Sequence, residues 1–238
     1  MNDTDKNCVV FFVKYPAAGQ VKTRLAPHLQ QNQICELYKN FVADILSTLK
    51  ELDANIEIFF SPVEAKDDLQ NWLGDEFSYT PQAGSDIGQK MKNAFINIFR
   101  SGFSKAVLIG SDLPDLPQNF IKQSFEQLDS NDSVIGPASD GGYYLIGFAK
   151  NSFLPEAFDD INWSTDSVYE NTRNILEQYN HKTAALPKWH DIDTIEDLKA
   201  FMSRNENAPS NTSKTFAWLK TENFRTKKGS IFNANRIV

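Results

Sequence analysis

The 238-residue chain is 41% hydrophobic and carries 18 Phe and 7 Tyr, enough apolar material for a sizeable core in one large domain or two small ones. A formal net charge of -7 argues against a general nucleic-acid binder, which needs basic surface to neutralise phosphates, but leaves room for one small basic pocket facing a diphosphate. The two cysteines, Cys8 and Cys35, lack the spacing of a zinc site or a disulfide framework and are expected to be reduced and buried.

The apolar run Cys8 to Val13 is too short for a signal-peptide core or a membrane span, so a soluble, cytoplasmic protein is expected. That run is β-branched and aromatic without alternation, and it predicts a strand covered on both faces. Ile34, Leu37, Tyr38, Phe41, Val42, Ile45, Leu46 and Leu49 recur at helical steps and predict a long amphipathic helix. Residues 56–60 read as a second strand, Leu69 to Leu73 as a short helix, and Ile87 to Phe99 as another amphipathic helix. Residues 106–109 form an uninterrupted apolar strand, and Pro117 suits the opening turn of the helix that follows. Further strands are expected at 133–135 and 143–146 and in the stretch from Thr183 to Leu186, with a helix from Val168 to Tyr179. Thr194 reads as an N-cap, with Asp197 three residues on resembling a capping box, for a helix through Phe201.

This alternation predicts an α/β fold with a mostly parallel twisted sheet and helices on both faces. One α/β domain is expected to span 1–204. Residues 205–238 read as a polar linker and a tail whose Phe216, Trp218, Leu219 and Phe224 either pack back on the domain or mediate a homodimer.

In such a sheet, ligands bind at the carboxyl ends of the strands, so the loops after strands carry the chemistry. The first, Lys14 to Leu25, holds Lys14, Lys22 and Arg24 around Gly19, and combines cations with backbone N–H groups as a diphosphate site requires. It is not a P-loop, and its alternative reading is a solvated basic loop. The second loop offers Asp112 straight after an apolar strand, placed for a Mg²⁺ that takes one or two carboxylates plus phosphate oxygens. Asp115 reads as a turn or cap residue. The third, with Asp140, Gly141, Gly142 and Tyr143, is either a hairpin turn or a place where a ligand approaches the backbone closely, with Asp140 a candidate sugar contact or base. The fourth places Asp191 and Asp193 at i and i+2 before a helix, on the same side of an extended segment and able to face a metal from across the site; the alternative, helix N-terminal charge, explains Glu196 and Asp197 well and Asp191 less well.

Two weaker candidates complete the set. Gly88 and Gln89 open a helix, either facing a nucleotide or lying behind an ordinary cap at Ser85 or Asp86. Trp163, Ser164 and Thr165 precede another helix, where an exposed Trp suits sugar stacking and a buried one is the commoner outcome. The three histidines have no metal-binding spacing, and no G-x-S-x-G elbow is present.

Taken together, K-x-P-x-x-G-x-V-K-T-R-L at Lys14 to Leu25, G-S-D-L-P at Gly110 to Pro114, G-P-x-x-D-G-G-Y-Y-L-I-G at Gly136 to Gly147 and W-S-T at Trp163 to Thr165 resemble a bacterial glycosyltransferase-like family known as a domain of unknown function. Some of its members are linked to arsenosugar biosynthesis. The late D-I-D-T-x-E-D-L at Asp191 to Leu198 resembles an ending shared among nucleotide-diphospho-sugar transferases and nucleotidylyltransferases. The resemblance implies a glycosyltransferase A, Rossmann-like fold. It also implies Mg²⁺ or Mn²⁺ at Asp112, Asp191 and Asp193, and phosphate contacts from Lys22 and Arg24. Asp112 stands in S-D-L rather than D-x-D, closer to nucleotidylyltransferases, and Ile195 replaces the proline more usual after D-x-D-T. The leading expectation is a metal-dependent transferase acting on a nucleotide sugar and a small-molecule acceptor. The alternatives are a nucleotidylyltransferase that takes a nucleoside triphosphate and releases pyrophosphate, and a non-catalytic nucleotide-binding domain.

Overall fold

The structure, a computed structural model, describes residues 6–206 and 213–221. Seven strands form one sheet in the order β3-β2-β1-β4-β6-β5-β7. They are β1 (Asn7–Lys14), β2 (Asn55–Ser61), β3 (Ser78–Pro81), β4 (Lys105–Ile109), β5 (Ser133–Pro137), β6 (Tyr143–Ala149) and β7 (Thr183–Ala185). Every pairing is parallel except those of β6, which runs against both β4 and β5.

Among the described residues seven α-helices accompany them: α1 (Gln31–Leu49), α2 (Lys66–Leu73), α3 (Ile87–Arg100), α4 (Gln118–Gln127), α5 (Val168–Gln178), α6 (Ile195–Asn205) and α7 (Lys214–Lys220). The expected α/β fold with a mostly parallel sheet is the fold found. The edge strand β3 was not anticipated, because Ser-Tyr-Thr-Pro has neither an apolar run nor alternation to mark it.

β1 shows why its sequence lacks alternation. Val9, Phe11 and Val13 enter one core, with Leu37, Phe41 and Ile45 of α1. Cys8, Val10 and Phe12 enter the other, with Met91, Phe95 and Ile98 of α3. Both faces of the strand are therefore apolar. In the second core Phe95 is fully buried and its ring lies 5.2 Å from that of Phe148 and 5.9 Å from that of Phe158.

The chain builds outward from β1 to β2 and β3 on one side, then returns to place β4 on the other. The order reverses between β1 and β4, and at such a reversal the following loops diverge and leave a crevice at the carboxyl ends of the strands.

Of the tail residues, Phe216 and Leu219 of α7 are buried and join the α1-side core. Asp44, buried on α1, accepts hydrogen bonds from Ser213 Oγ (2.7 Å), Lys214 N (2.7 Å) and Thr215 N (2.9 Å), so it caps α7 from outside the helix. α6 continues through Asn205, the residue at which the linker was expected to begin. Most of that linker (207–212) and Phe224 lie outside the described residues. Among the described residues no helix is long and apolar enough to cross a membrane.

Candidate active site

The loop after β1 is shaped by two buried anchors, Val21 and Leu25, with Lys22, Thr23 and Arg24 between them. Gly19 takes the positive φ (76°) that the turn requires. Its N–H is already donated to Gln31 Oε1 (2.7 Å), so Gly19 shapes the loop and offers no free donor to a phosphate.

Lys22 is a non-glycine residue at φ 45°, ψ 43°, a left-handed conformation that persists only where surrounding structure enforces it and that clusters at functional sites. Here it turns the side chain inward. Only 3% of that side chain is exposed, and Nζ lies 2.5 Å from Asp112 Oδ1 and 2.8 Å from Asp193 Oδ1. Burial pushes the ammonium down, but the two carboxylates outweigh it and hold Lys22 above the ordinary lysine range. Arg24 is 70% exposed, with Nη1 3.3 Å from Asp193 Oδ2. Lys14 lines the same cleft at the end of β1.

Asp112 follows β4 across Gly110 and Ser111. Its carbonyl accepts the Ile192 N–H (3.0 Å), which lays the late acidic loop directly on the β4 loop. Ser111 Oγ and Tyr38 Oη share a buried 2.7 Å hydrogen bond, and Tyr38 Oη also accepts the Lys14 N–H (2.9 Å). One phenol on α1 thus ties the ends of β1 and β4 together. Burial, with Asp112 adding to it, raises the Tyr38 pKa, so the phenol stays neutral. Sequence reading had absorbed Tyr38 into the apolar face of the helix, because nothing in the pattern reveals where its hydroxyl goes.

Asp193 is set by Asp197, whose Oδ2 accepts the N–H groups of Asp193 (3.0 Å) and Thr194 (2.7 Å) while Thr194 Oγ1 accepts the Asp197 N–H (3.2 Å). The expected capping box is therefore present, and the same carboxylate fixes the backbone of Asp193. Burial raises the Asp193 carboxyl, but Lys22, then Arg24 and Lys14, outweigh it and hold the group below the usual range.

Asp191 behaves oppositely. Burial, then Asp140 and Asp193, push it up to about 6. A carboxyl whose folded pKa is raised costs stability as pH rises from about 4 through 6, and that cost is fully present above 6. Replacing Asp191 with Asn is expected to raise the melting temperature at pH 7.5 by about 2–4 °C, after a discount for partial exposure, and to give no gain at pH 4. Paired thermal melts at the two pH values check this.

Asp112 and Asp193 share one ammonium, whereas Asp191 is raised by burial and by the like charges of Asp140 and Asp193, with Lys22 only partly offsetting them. Among the described residues no three acidic, thiol or imidazole groups converge as a metal-holding cluster. The expected trio of metal ligands is thus not assembled among the described residues, where Lys22 pairs with Asp112 and Asp193. The pair Asp112 and Asp193 still fits a hard divalent cation that takes one or two carboxylates and completes its shell with phosphate oxygens and water.

The β5–β6 connection is a hairpin. Asp140 Oδ1 accepts the Gly142 N–H (2.9 Å), and Gly141 sits at φ 92° with its backbone pressed on Asp166, where a Cβ would fall 2.1 Å from the Asp166 carbonyl oxygen. The close approach that Gly141 permits is therefore to the 162–168 loop. Gly88 serves packing in the same way, since a Cβ there would lie 2.4 Å from the Trp163 ring. Gln89 works at the helix start, where Asp86 Oδ1 accepts its N–H (2.9 Å) and its Oε1 accepts the Ser85 N–H (3.2 Å). Asp115, read as a turn residue, receives Arg204 Nε (2.5 Å) and Nη2 (3.0 Å) and Asn205 Nδ2 (2.9 Å) from the end of α6.

These loops enclose two adjoining spaces. The larger, about 620 Å³, lies over the β1–β4 crevice and is lined by Lys14, Lys22, Thr23, Arg24, Asp112 and, unanticipated, Gln82 from the end of β3. The smaller, about 400 Å³, is lined by Asp140, Gly142, Trp163, Ser164, Thr165 and Asp166. Arg24 and Asp193 line both, together with Ile87, Met91, Tyr143 and Ser164, so this one charged pair stands at the junction.

The model of a family described as "Uncharacterized protein conserved in bacteria (DUF2064)" matches residues 45–165, just over half the chain. The chain belongs to the DUF2064 family. The matched segment includes Asp112, Asp140 and Trp163, while Lys22, Arg24 and Asp193 lie on either side of it. Over 91% of this DUF2064 chain and 94% of the other, the fold superposes with a TM-score of 0.87 and 39% identity on the crystal structure of a Desulfovibrio desulfuricans G20 protein provisionally named a nucleotide-diphospho-sugar transferase. A 2-phospho-L-lactate guanylyltransferase of Methanobrevibacter smithii is 23% identical over 190 residues, 79% of this chain and 81% of that one. The 4-diphosphocytidyl-2C-methyl-D-erythritol synthase of Anaerococcus prevotii DSM 20548 shares the fold at a TM-score of 0.55 and 11% identity, over 85% of this chain and 96% of the other.

Proposed function

We propose that this DUF2064 protein is a cytoplasmic nucleotidylyltransferase, which joins a nucleoside triphosphate to a phosphorylated small-molecule acceptor and releases pyrophosphate. The observation that carries the reading is the two-lobed cleft with Arg24 at the junction and Lys22 in the larger lobe. A triphosphate in the larger lobe, along Lys22, and an acceptor phosphate entering from the smaller one meet beside Arg24. The single aspartate after β4, in place of a D-x-D triplet, supports the same choice, as does the guanylyltransferase relative.

In the reaction, an acceptor phosphate oxygen attacks the α-phosphorus, and the bond from that phosphorus to the α–β bridging oxygen breaks. The electron pair leaves with pyrophosphate. Lys22, kept charged by its two carboxylates, offers a fixed positive end to the phosphate chain in a site it need not reorganise. Arg24, exposed and facing both lobes, screens the two like-charged phosphates from one another. Asp112 and Asp193 would hold a Mg²⁺ or Mn²⁺ ion, which when bound neutralises phosphate charge. Tyr38 and Ser111 hold the two strand ends at fixed separation, so Lys22 and Asp112 meet in register.

The test is pyrophosphate release from a panel of ribonucleoside triphosphates with Mg²⁺ and phosphorylated acceptors, using triphosphates labelled at the α-phosphate. The expected result is α-label in the coupled product with one pyrophosphate per turnover. Glycosyl transfer from a nucleotide sugar is the second reading, favoured by the half-exposed Trp163 and by the provisional name of the 39% identical relative. It would show as nucleoside diphosphate release from a nucleotide sugar with no pyrophosphate from any triphosphate. Absence of both reactions, with nucleotide still bound, would leave a non-catalytic binding domain.

A further inference from the structure

We propose that the smaller lobe selects a phosphate monoester of a neutral polyol, a sugar phosphate in chemical class, and rejects acceptors that carry a carboxylate beside the phosphate. The inference rests on nucleotidyl transfer as proposed above, and it separates this protein in substrate from the phospho-acid guanylyltransferase it is similar to.

The lobe's charge carries the argument. Its lining holds three carboxylates, Asp140, Asp166 and Asp193, against one cation, Arg24. That cation lies at the mouth shared with the larger lobe and is already 3.3 Å from Asp193. An acceptor phosphate has to occupy this mouth to reach the α-phosphorus, so it takes the available positive charge. Whatever is attached to the phosphate then extends into a space bounded by Asp140 and Asp166. A carboxylate accepts hydrogen bonds and donates none. Polyol hydroxyls donate to it readily, whereas a second carboxylate meets like charge with nothing to offset it.

The shape agrees. Trp163 presents a half-buried ring held edge-on by Tyr143, with centroids 6.4 Å apart and planes at 81°. Behind it Gly88 leaves no side chain to push the indole into the lobe. The ring is thus an immobilised apolar wall of the kind that receives the C–H face of a sugar. Ser164, held at φ 67°, adds a hydroxyl beside it, while Thr165 Oγ1 donates to the Asn162 carbonyl (2.8 Å) and steadies the loop. Asp140, which lines the lobe, commits Oδ1 to the Gly142 N–H, so its Oδ2 is the atom left to accept from a ligand hydroxyl.

The experiment measures kcat/KM for pyrophosphate release by the full chain with Mg²⁺ and its best triphosphate. Glucose 1-phosphate and mannose 1-phosphate are compared with 2-phospholactate and 3-phosphoglycerate. The sugar phosphates are expected to exceed the phospho-acids at least tenfold. Asp166→Asn, a change at an exposed side chain, is expected to shrink that ratio by about fivefold through a gain for the phospho-acids, the scale of one screened like-charge contact.

A ratio near one or inverted, or a ratio unmoved by Asp166→Asn, overturns the inference while leaving nucleotidyl transfer standing. If no acceptor yields pyrophosphate, nucleotidyl transfer falls instead. The lobe is then read by thermal melts with the same four phosphates, since a ligand that binds the native state raises its melting temperature. Greater stabilisation by the sugar phosphates sustains the selectivity, and equal or greater stabilisation by the phospho-acids ends it.

Discussion

Lys22→Met is expected to lower kcat for pyrophosphate release by about 10²–10³-fold, the usual scale for removing one preorganised charge donor from a transition state. The expectation follows from how Lys22 is held. Its left-handed backbone, its 3% side-chain exposure and its two carboxylate partners fix one ammonium at the mouth of the β1–β4 crevice. Methionine fills the same slot without the charge. Asp112 and Asp193 then lose their shared cation, but they keep 46% and 33% of their side-chain surface exposed, so water screens the repulsion. Melting temperature is therefore expected to change by no more than a few degrees, which separates a chemical loss from an unfolding one. Lys22→Arg is expected to recover less than a tenth of the lost rate, because a planar guanidinium does not fit a slot shaped for a point charge. Turnover above a tenth of wild type in the methionine variant would refute this role.

Asp115→Ala is expected to cost about 3 kcal/mol of stability, the lower end of what breaking a buried ion pair costs. For a chain of this length that is a fall of about 6–12 °C in melting temperature. Asp115 is 11% exposed and Arg204 23%, and the alanine would leave the guanidinium buried without its bidentate partner and deprive Asn205 of an acceptor. The double variant Asp115→Ala/Arg204→Leu is expected to be more stable than the single one, because it removes the orphaned charge. Thermal melts of the three variants decide the matter, and strict additivity would show that the pair is not coupled.

How much of this was legible in the sequence depends on which physical signal each feature leaves. An unbroken apolar run is a strong mark of a strand buried on both faces, so β1 and β4 were readable, as were α1 and α3 from their 3.6-residue period. The direction of β6 leaves no such mark, because the Asp140–Gly142 turn suits either a hairpin or a ligand approach until pairing is known. Glycines were legible as places needing room, but not for what. Gly88 and Gly141 make room for Trp163 and for the Asp166 backbone, both contacts remote in sequence.

The candidate site was legible as a set of loops, because an α/β sheet directs every post-strand loop to one edge. Which of the basic residues would be buried was not. Lys22 and Arg24 are two positions apart, yet one is enclosed and the other 70% exposed, since only the former takes the left-handed turn. Likewise Asp191 and Asp193, expected on one side of an extended segment, divide between a desolvated position near Asp140 and an ion pair with Lys22. The Tyr38–Ser111 and Asp115–Arg204 links span 73 and 89 residues and depend on where hydroxyls and charges end up after packing.

The central claim is that the β1–β4 crevice binds a nucleoside triphosphate through Lys22. Isothermal titration with each ribonucleoside triphosphate in the presence of Mg²⁺ tests it most directly. The account predicts one-site saturable binding for at least one triphosphate, weakened at least tenfold in Lys22→Met. Absence of binding by every triphosphate to the wild-type chain, or unchanged affinity in the variant, would contradict it.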